Sequence, residues 1–221
     1  MKLQKLHVGA IVLAFSGCIS CCPQGESLFG ENLERADYDP NIWYIDADGS
    51  LTAKSDSAIW TKTGDWEDFE LELEYNLDPA ANSGIVVCCS DTKNWIPNSV
   101  EIQLLDDASE KWANSPANWK TGSLFGHLPP IATAQKPAGQ WNHARLTVEG
   151  CLVTFAINGV IVQDKADLSK MTDAKRNQDG SEIPAWLNRP WSDLPTKGFI
   201  GLQGKHAGAT VRFRNIKIRK F

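Results

Sequence analysis

From residue 69 the chain changes character at every second position. Phe69, Leu71, Leu73 and Tyr75 are apolar, and Glu70, Glu72 and Glu74 stand between them. Successive side chains of a strand point to opposite faces, so this spacing predicts a half-buried strand with an acidic outer face. The pattern recurs along the chain. Gly84 to Cys89 is a short apolar strand, and Val100, Ile102 and Leu104 alternate with Glu101 and Gln103. Ala144, Leu146 and Val148 continue the series. Val153, Phe155 and Ile157 lead into Asn158-Gly159, the favoured two-residue hairpin turn, with Val160 to Gln163 as the return strand. Gly198 to Gln203 and Thr210 to Ile218 close the chain. Helical periodicity is almost absent, with one turn expected near Leu168. Two long irregular segments, Asp106 to Ala138 and Asp164 to Lys197, have the length of binding walls or lids. The expectation is an all-β chain, one sandwich of two antiparallel sheets with long loops.

Composition narrows the function classes. The 221 residues carry a formal net charge of −5, which leaves no basic footprint for nucleic acid. Beyond the N-terminus no apolar run approaches the roughly 20 residues that span a bilayer. Nine tryptophans are the excess, and they point to something flat and apolar being packed or bound. Trp43, Trp66 and Trp141 flank strands and read as core. Trp95, Trp112, Trp119, Trp186 and Trp191 lie in loops, where stacking on a sugar is an available role.

The N-terminus reads as an export signal. Lys2 and Lys5 precede an apolar stretch from Val8 to Phe15, too short to span a membrane. Phe15-Ser16-Gly17-Cys18 follows as in bacterial lipoprotein signals, where the cysteine becomes the lipid-bearing terminus; Phe is less usual than Leu at the first position, so a plain secretory peptide is the alternative. The expected division is a signal peptide over 1–17, an anchor linker over 18–26 and one domain over 27–221. A membrane contact is expected through the lipid on Cys18 alone, at the bacterial cell envelope, in the periplasm or at the surface. Cys21 and Cys22 crowd that anchor. Cys88, Cys89 and Cys151 admit two readings, buried thiols or one bridge from Cys151 to either member of the adjacent pair.

Glu101-Ile102-Gln103-Leu104-Leu105-Asp106 is the strand with most chemistry. Residues two apart share a face about 6.5–7 Å from one another, so Glu101 and Gln103 stand together, opposite Val100, Ile102 and Leu104. Asp106 points the other way unless the strand end re-aims it. A glycosidase of the ordinary kind needs two carboxylates around the scissile bond, and an amide at 103 disfavours that chemistry. A solvated sheet face would show the same spacing. Gly204-Lys205-His206-Ala207-Gly208 places a cation beside a proton-transfer group in a turn, and is equally the composition of a plain turn. Asn82-Ser83-Gly84 can bind sugar hydroxyls or simply turn the chain. His127 lies in a loop able to line a pocket, and His143 reads as surface.

Seven short motifs stand in order: Asp68-Phe69-Glu70-Leu71, Asn82-Ser83-Gly84-Ile85, Glu101-Ile102-Gln103, Trp141-Asn142, Asn158-Gly159, Gly198-Phe199-Ile200-Gly201-Leu202-Gln203 and Phe213-Arg214-Asn215-Ile216. Together, over about Ser27 to Phe221, they resemble the 3-keto-disaccharide hydrolase domain. The resemblance implies a concanavalin-like jelly-roll sandwich and activity on glycosides already oxidised to a ketone at C3. That ketone acidifies the C2 proton, so a base can form an enediolate, the C1 substituent can leave by β-elimination, and water can add. Such a route needs a base, an electrophile for the enolate oxygen and an acid for the leaving group. The resemblance implies Glu101 as a catalytic carboxylate or metal ligand and His206 as its partner base or acid, with Asp106 as a further catalytic candidate. It implies Gln103 and Gln203 orienting substrate hydroxyls and Lys205 steadying the enolate; Asn82 in its turn and Trp119 in its loop are the further substrate-binding candidates. A divalent cation held by Glu101 and His206 is the alternative electrophile. A sugar 3-dehydrogenase is the implied functional partner. Where the family often has arginine, four residues after the glycine of Asn-Ser-Gly-Ile, this chain has Cys88. A carbohydrate-binding module without catalysis is the competing expectation.

Overall fold

The computed structural model describes residues 25–221. The expected signal peptide, lipidated Cys18, Cys21 and Cys22 lie outside the described residues. In chain order the strands are β1 (Glu26–Ser27), β2 (Ala36–Asp37), β3 (Trp43–Ile45), β4 (Leu51–Ala53), β5 (Ala58–Thr61), β6 (Phe69–Leu77) and β7 (Asn82–Cys89). They continue with β8 (Val100–Leu105), β9 (Trp141–Glu149), β10 (Leu152–Ile157), β11 (Val160–Asp167), β12 (Phe199–Gln203) and β13 (Val211–Lys220). The larger sheet runs β11-β10-β9-β6-β13-β4-β3, with β1 added beside β13; the smaller runs β2-β5-β12-β7-β8. Every pairing is antiparallel. The fold is therefore the all-β sandwich that the alternation predicts.

The two sheets close on each other through their apolar residues. Phe69, Leu71, Leu73, Tyr75 and Phe213 come from the larger sheet, and Ile59, Ile85, Val87, Ile102, Leu104, Ile200 and Leu202 from the smaller. All are at most 1% exposed, and burying each contributes about 1.5–3 kcal/mol. The acidic face of β6 is matched across the sheet rather than left to water alone. Glu70 meets Arg219 at 3.1 Å, Glu74 meets Arg214 at 2.9 Å, and Glu72 lies 4.0 Å from Arg145. The β10–β11 hairpin turns on Asn158 and Gly159, both with positive φ, as the dipeptide predicts. The expected helical turn is a single 3-10 turn, Leu168–Lys170.

Alternation does not predict β1 to β5, which are two to four residues long and too short to show a period. Nor does it show the irregularity in β7. The pairing with β12 advances two residues from Phe199 to Gly201 while β7 advances three, from Cys89 back to Val86. The extra residue is Cys88, whose φ of 53° marks a bulge. Its thiol enters the core, and burial pushes its pKa up to about 12. The position where the family often carries arginine is therefore turned away from the outer face. Cys88, Cys89 and Cys151 are free thiols, so no bridge joins them; Cys88 and Cys89 are buried, as one reading expects, and Cys151 is only half-buried. Among the described residues no helix is long and apolar enough to cross a membrane.

Candidate active site

The outer face of the smaller sheet is the floor of a cavity of about 390 Å³. Asn82 on β7, Glu101, Gln103 and Leu105 on β8, Gln203 at the end of β12, and His206 just beyond it line this floor. The period-two arithmetic places Glu101 and Gln103 together here, while Val100, Ile102 and Leu104 face the core. The walls are loop residues: Trp95 and Ile96 after β7, Trp112, Ser115, Trp119 and Phe125 after β8, and Trp186 before β12.

Glycine makes room for the carboxyl. A Cβ on Gly84 would sit 2.4 Å from Glu101 Oε1 and 2.8 Å from its Cγ, so the side chain of Glu101 lies directly over Gly84. Burial there disfavours the charged form, and nearby Asp56 adds repulsion, raising the Glu101 carboxyl from 4.5 to about 8. Gln103 Nε2 donates to Asn82 Oδ1 at 3.1 Å. Gln103 Oε1 and Gln203 Oε1 are both buried without a hydrogen-bond partner. A buried acceptor without a donor costs about 1–3 kcal/mol, so two in one cavity favour a ligand that brings hydroxyl groups.

His206 is held from two sides. Its backbone bridges to Asn82, and Ser83 Oγ donates to the Gln203 carbonyl at 2.7 Å, which joins the end of β12 to β7. Gly204 packs so closely on the 55–57 segment that a Cβ would meet the Ser57 carbonyl at 2.5 Å. That approach puts His206 Nδ1 2.7 Å from Asp56 Oδ2. Asp56 carries no motif in the sequence and stands 150 positions from its partner, so only the folded chain joins them.

Not every expected residue arrives. Asn82, Glu101, Gln103, Trp119, Gln203 and His206 line the cavity, and Lys205 and Asp106 do not. Lys205 instead donates its backbone N–H to Ser55. Asp106 is 6% exposed and its carboxylate accepts from the Ala80 N–H at 2.8 Å, closing the turn before β7. The Ala80 carbonyl in turn accepts from Trp112 Nε1 at 2.9 Å, so Asp106 supports a wall from outside the cavity lining. Trp95, Trp112, Trp119 and Trp186 are wall residues, whereas Trp191 is buried and stacks on His127 at 3.6 Å. Trp43 and Trp66 are core, but Trp141 is only half-buried, with Arg214 lying 4.0 Å from its ring.

His127 lines a second cavity of about 380 Å³. There the carboxylates are already engaged, Asp167 by Ser169 and Lys170 and Asp173 by the N–H groups of Lys175 and Arg176. The chemistry converges on the first cavity. As for a cation, no group of three or more His, Cys, Asp or Glu among the described residues stands close enough to hold one. Glu101 and His206 are two donors of the types that hold divalent ions, and the Asp56 carboxylate on His206 Nδ1 leaves Nε2 as the ring nitrogen available to a ligand.

Comparisons with known proteins bear on the family and the fold. Residues 25–219 match the family described as the 3-keto-alpha-glucoside-1,2-lyase-like domain. A 3-keto-disaccharide hydrolase of Bacteroides thetaiotaomicron is 26% identical over 207 residues, covering 81% of this chain and 70% of that protein. The crystal structure of a candidate glycosyl hydrolase from Parabacteroides distasonis is 49% identical, with a TM-score of 0.84 over 89% of this chain and 98% of its own. A Bacillus subtilis protein with a galectin-like fold shares 11% identity at a TM-score of 0.51, covering 81% of this chain and 86% of its own, a likeness of fold alone. With a sandwich of this kind, a desolvated carboxyl and unpartnered acceptors on its open face, and a match over nearly its whole described length, this chain belongs to the 3-keto-alpha-glucoside-1,2-lyase-like family of glycoside-acting enzymes.

Proposed function

We propose that the protein cleaves the glycosidic bond of 3-keto-glycosides by elimination and hydration. The observation that carries this reading is one cavity holding a neutral carboxyl, a carboxylate-held imidazole and two hydroxyl acceptors. With burial raising its pKa to about 8, Glu101 favours the protonated form near neutral pH. It is thereby suited to be the general acid that protonates the departing C1 oxygen. His206, with Nδ1 turned to Asp56, offers Nε2 as the base for the C2 proton, and Asp56 stabilises the imidazolium that forms. Gln103 Oε1 and Gln203 Oε1 receive sugar hydroxyls, and the amide N–H groups of Asn82 and Gln203 can meet the enolate oxygen. This takes over the role expected of Lys205. Water then adds at C1, with the two proton carriers exchanging roles.

A direct two-carboxylate hydrolysis is not favoured, since Asp56, the carboxylate whose charge raises the Glu101 pKa, is engaged by His206. The discriminating experiment follows 3-keto-trehalose and unoxidised trehalose by NMR in deuterated water. Elimination and hydration release sugar from the oxidised substrate only, with deuterium entering C2 of the product. Cleavage of the parent sugar, or product without deuterium at C2, overturns the reading. Saturable binding with no product would establish the carbohydrate-binding module in its place.

The same proposal includes export and lipid anchoring at Cys18, supported by Lys2, Lys5, the apolar stretch from Val8 to Phe15, and Phe15-Ser16-Gly17-Cys18. Metabolic labelling with a tagged fatty acid tests it, since Cys18→Ser abolishes labelling if the anchor is there. An enzyme that consumes 3-keto sugars also requires an oxidoreductase of the sugar 3-dehydrogenase class to supply them.

A further inference from the structure

The polar and apolar parts of the cavity are divided between different parts of the fold. Apart from Leu105, the floor residues of the strands and the 204–206 turn are hydrogen-bonding groups: Asn82, Glu101, Gln103, Gln203 and His206. The loop walls are nearly all apolar, with Ser115 as their one hydroxyl. Trp119 is central to them, 5.1 Å from the Phe125 ring and in an edge-to-face contact with Trp186 at 6.0 Å. At the rim stand two large apolar side chains left open to water, Trp186 at 53% exposure and Ile96 at 42%.

A ring carrying a C3 ketone and a C2 proton must sit where the acid, the base and the hydroxyl acceptors are, on the floor. Its C1 substituent then extends between the walls toward the rim. A second sugar in that position would leave most of its hydroxyls facing rings, with Ser115 as their side-chain hydroxyl partner, and would forfeit hydrogen bonds that water supplies. An apolar or aromatic substituent would instead cover Trp119, Trp186 and Ile96, removing apolar surface from water at about 25 cal/mol per Å² and meeting rings in stacked or edge-on geometry. We propose that the preferred substrates are 3-keto-glycosides whose leaving group is an aryl or otherwise apolar alcohol, with Trp119 and Trp186 as its binding wall. This rests on the proposed function for the location of the reacting ring.

The test compares benzyl 3-keto-α-glucoside with 3-keto-trehalose. Benzyl alcohol is the poorer leaving group of the two, so an advantage for it reports recognition rather than intrinsic reactivity. The expected result is a kcat/KM at least about tenfold higher for the benzyl compound, which corresponds to about 1.4 kcal/mol of selective binding. Trp186→Ala should lower that ratio about tenfold, mainly through KM for the benzyl substrate, and Trp186→Phe should restore most of it. Preference for the disaccharide, or a Trp186→Ala variant that slows both substrates by one factor, overturns the proposal while leaving the catalytic reading intact. If neither compound is cleaved, the catalytic reading fails. Calorimetric titration with the same two ligands then decides the wall by itself: tighter binding of the benzyl compound upholds it and equal or weaker binding overturns it.

Discussion

The two sheets of this sandwich treat their outer faces in opposite ways. On the larger sheet every acidic residue of β6 faces a base: Glu70 with Arg219, Glu72 with Arg145, Glu74 with Arg214. On the smaller sheet a carboxyl is desolvated over a glycine and two amide oxygens are buried with no partner. The first arrangement pairs its charges within the protein, although Asn76 Oδ1 on β6 and Thr52 Oγ1 on β4 are buried there without a partner too. The second leaves groups in want of partners, at a cost in stability, and a site that needs partners can bind and react. Unmatched acceptors alone do not mark the site, since both sheets have them; a desolvated carboxyl beside such acceptors on the floor of a cavity does.

The largest expected effect on that contrast is catalytic. Glu101→Gln and His206→Ala should each lower turnover of a 3-keto-glycoside by about 10²–10⁴-fold while the thermal transition stays cooperative. Retention of full activity in either variant removes that residue from the mechanism. Gly84→Ala comes next, since the added methyl takes the space of the Glu101 side chain and pushes the acid out of line. A loss of about 10–100-fold in kcat is expected, with little change in substrate affinity.

pH separates the faces by sign. Glu101 has a folded pKa near 8 against an ordinary 4.5, so between these values the native state holds a proton that the unfolded chain has released. Its burial therefore costs nothing below pH 4.5, and the cost grows until pH 8. Glu101→Gln should raise Tm at pH 8 by about 2–8 °C, on the order of 1–2 kcal/mol, and leave it unchanged near pH 4. Activity should fall as pH rises through 8, because the acid loses its proton. Glu74 behaves in the reverse sense. Hydrogen bonds from Arg214 and Asn215 hold its carboxyl below the ordinary range, so its contribution is present above pH 4.5 and is lost on acidification through the lowered value. The smallest effect belongs to this matched face: Glu74→Gln should cost about 0.5–1 kcal/mol in a denaturant titration at pH 7, without altering kcat.

What the sequence made legible followed the range of each interaction. The alternation in β6, β8, β9 and β10 is local and is visible by eye, as is the Asn158-Gly159 turn. It placed Glu101 and Gln103 on one face correctly, because the period of a strand needs no knowledge of the rest of the fold. The partners of β6 were invisible, since Arg214 and Arg219 arrive from a strand about 140 residues away, and the acidic face looked unmatched. Asp56 was missed for the same reason. Asp106 and Lys205 are candidates through the resemblance, yet the end of a strand and the middle of a turn re-aim side chains freely, and neither lines the cavity. Trp191 looked like its neighbours in composition, but it stacks on His127 in the interior.

The division of the cavity into strand-borne floor and loop-borne walls bears on how such a protein changes over generations. Strand positions are tied by register to their neighbours, so a substitution on the floor disturbs several pairings at once. Loops accept replacement and insertion with little penalty to the scaffold. On the proposed reading, a duplicated copy of this gene can therefore drift in the alcohol it accepts by exchanging the segments around Trp95, Trp119 and Trp186, while the reaction on the floor stays fixed. An engineer wanting a new leaving group would transplant those three segments and leave the sheet untouched.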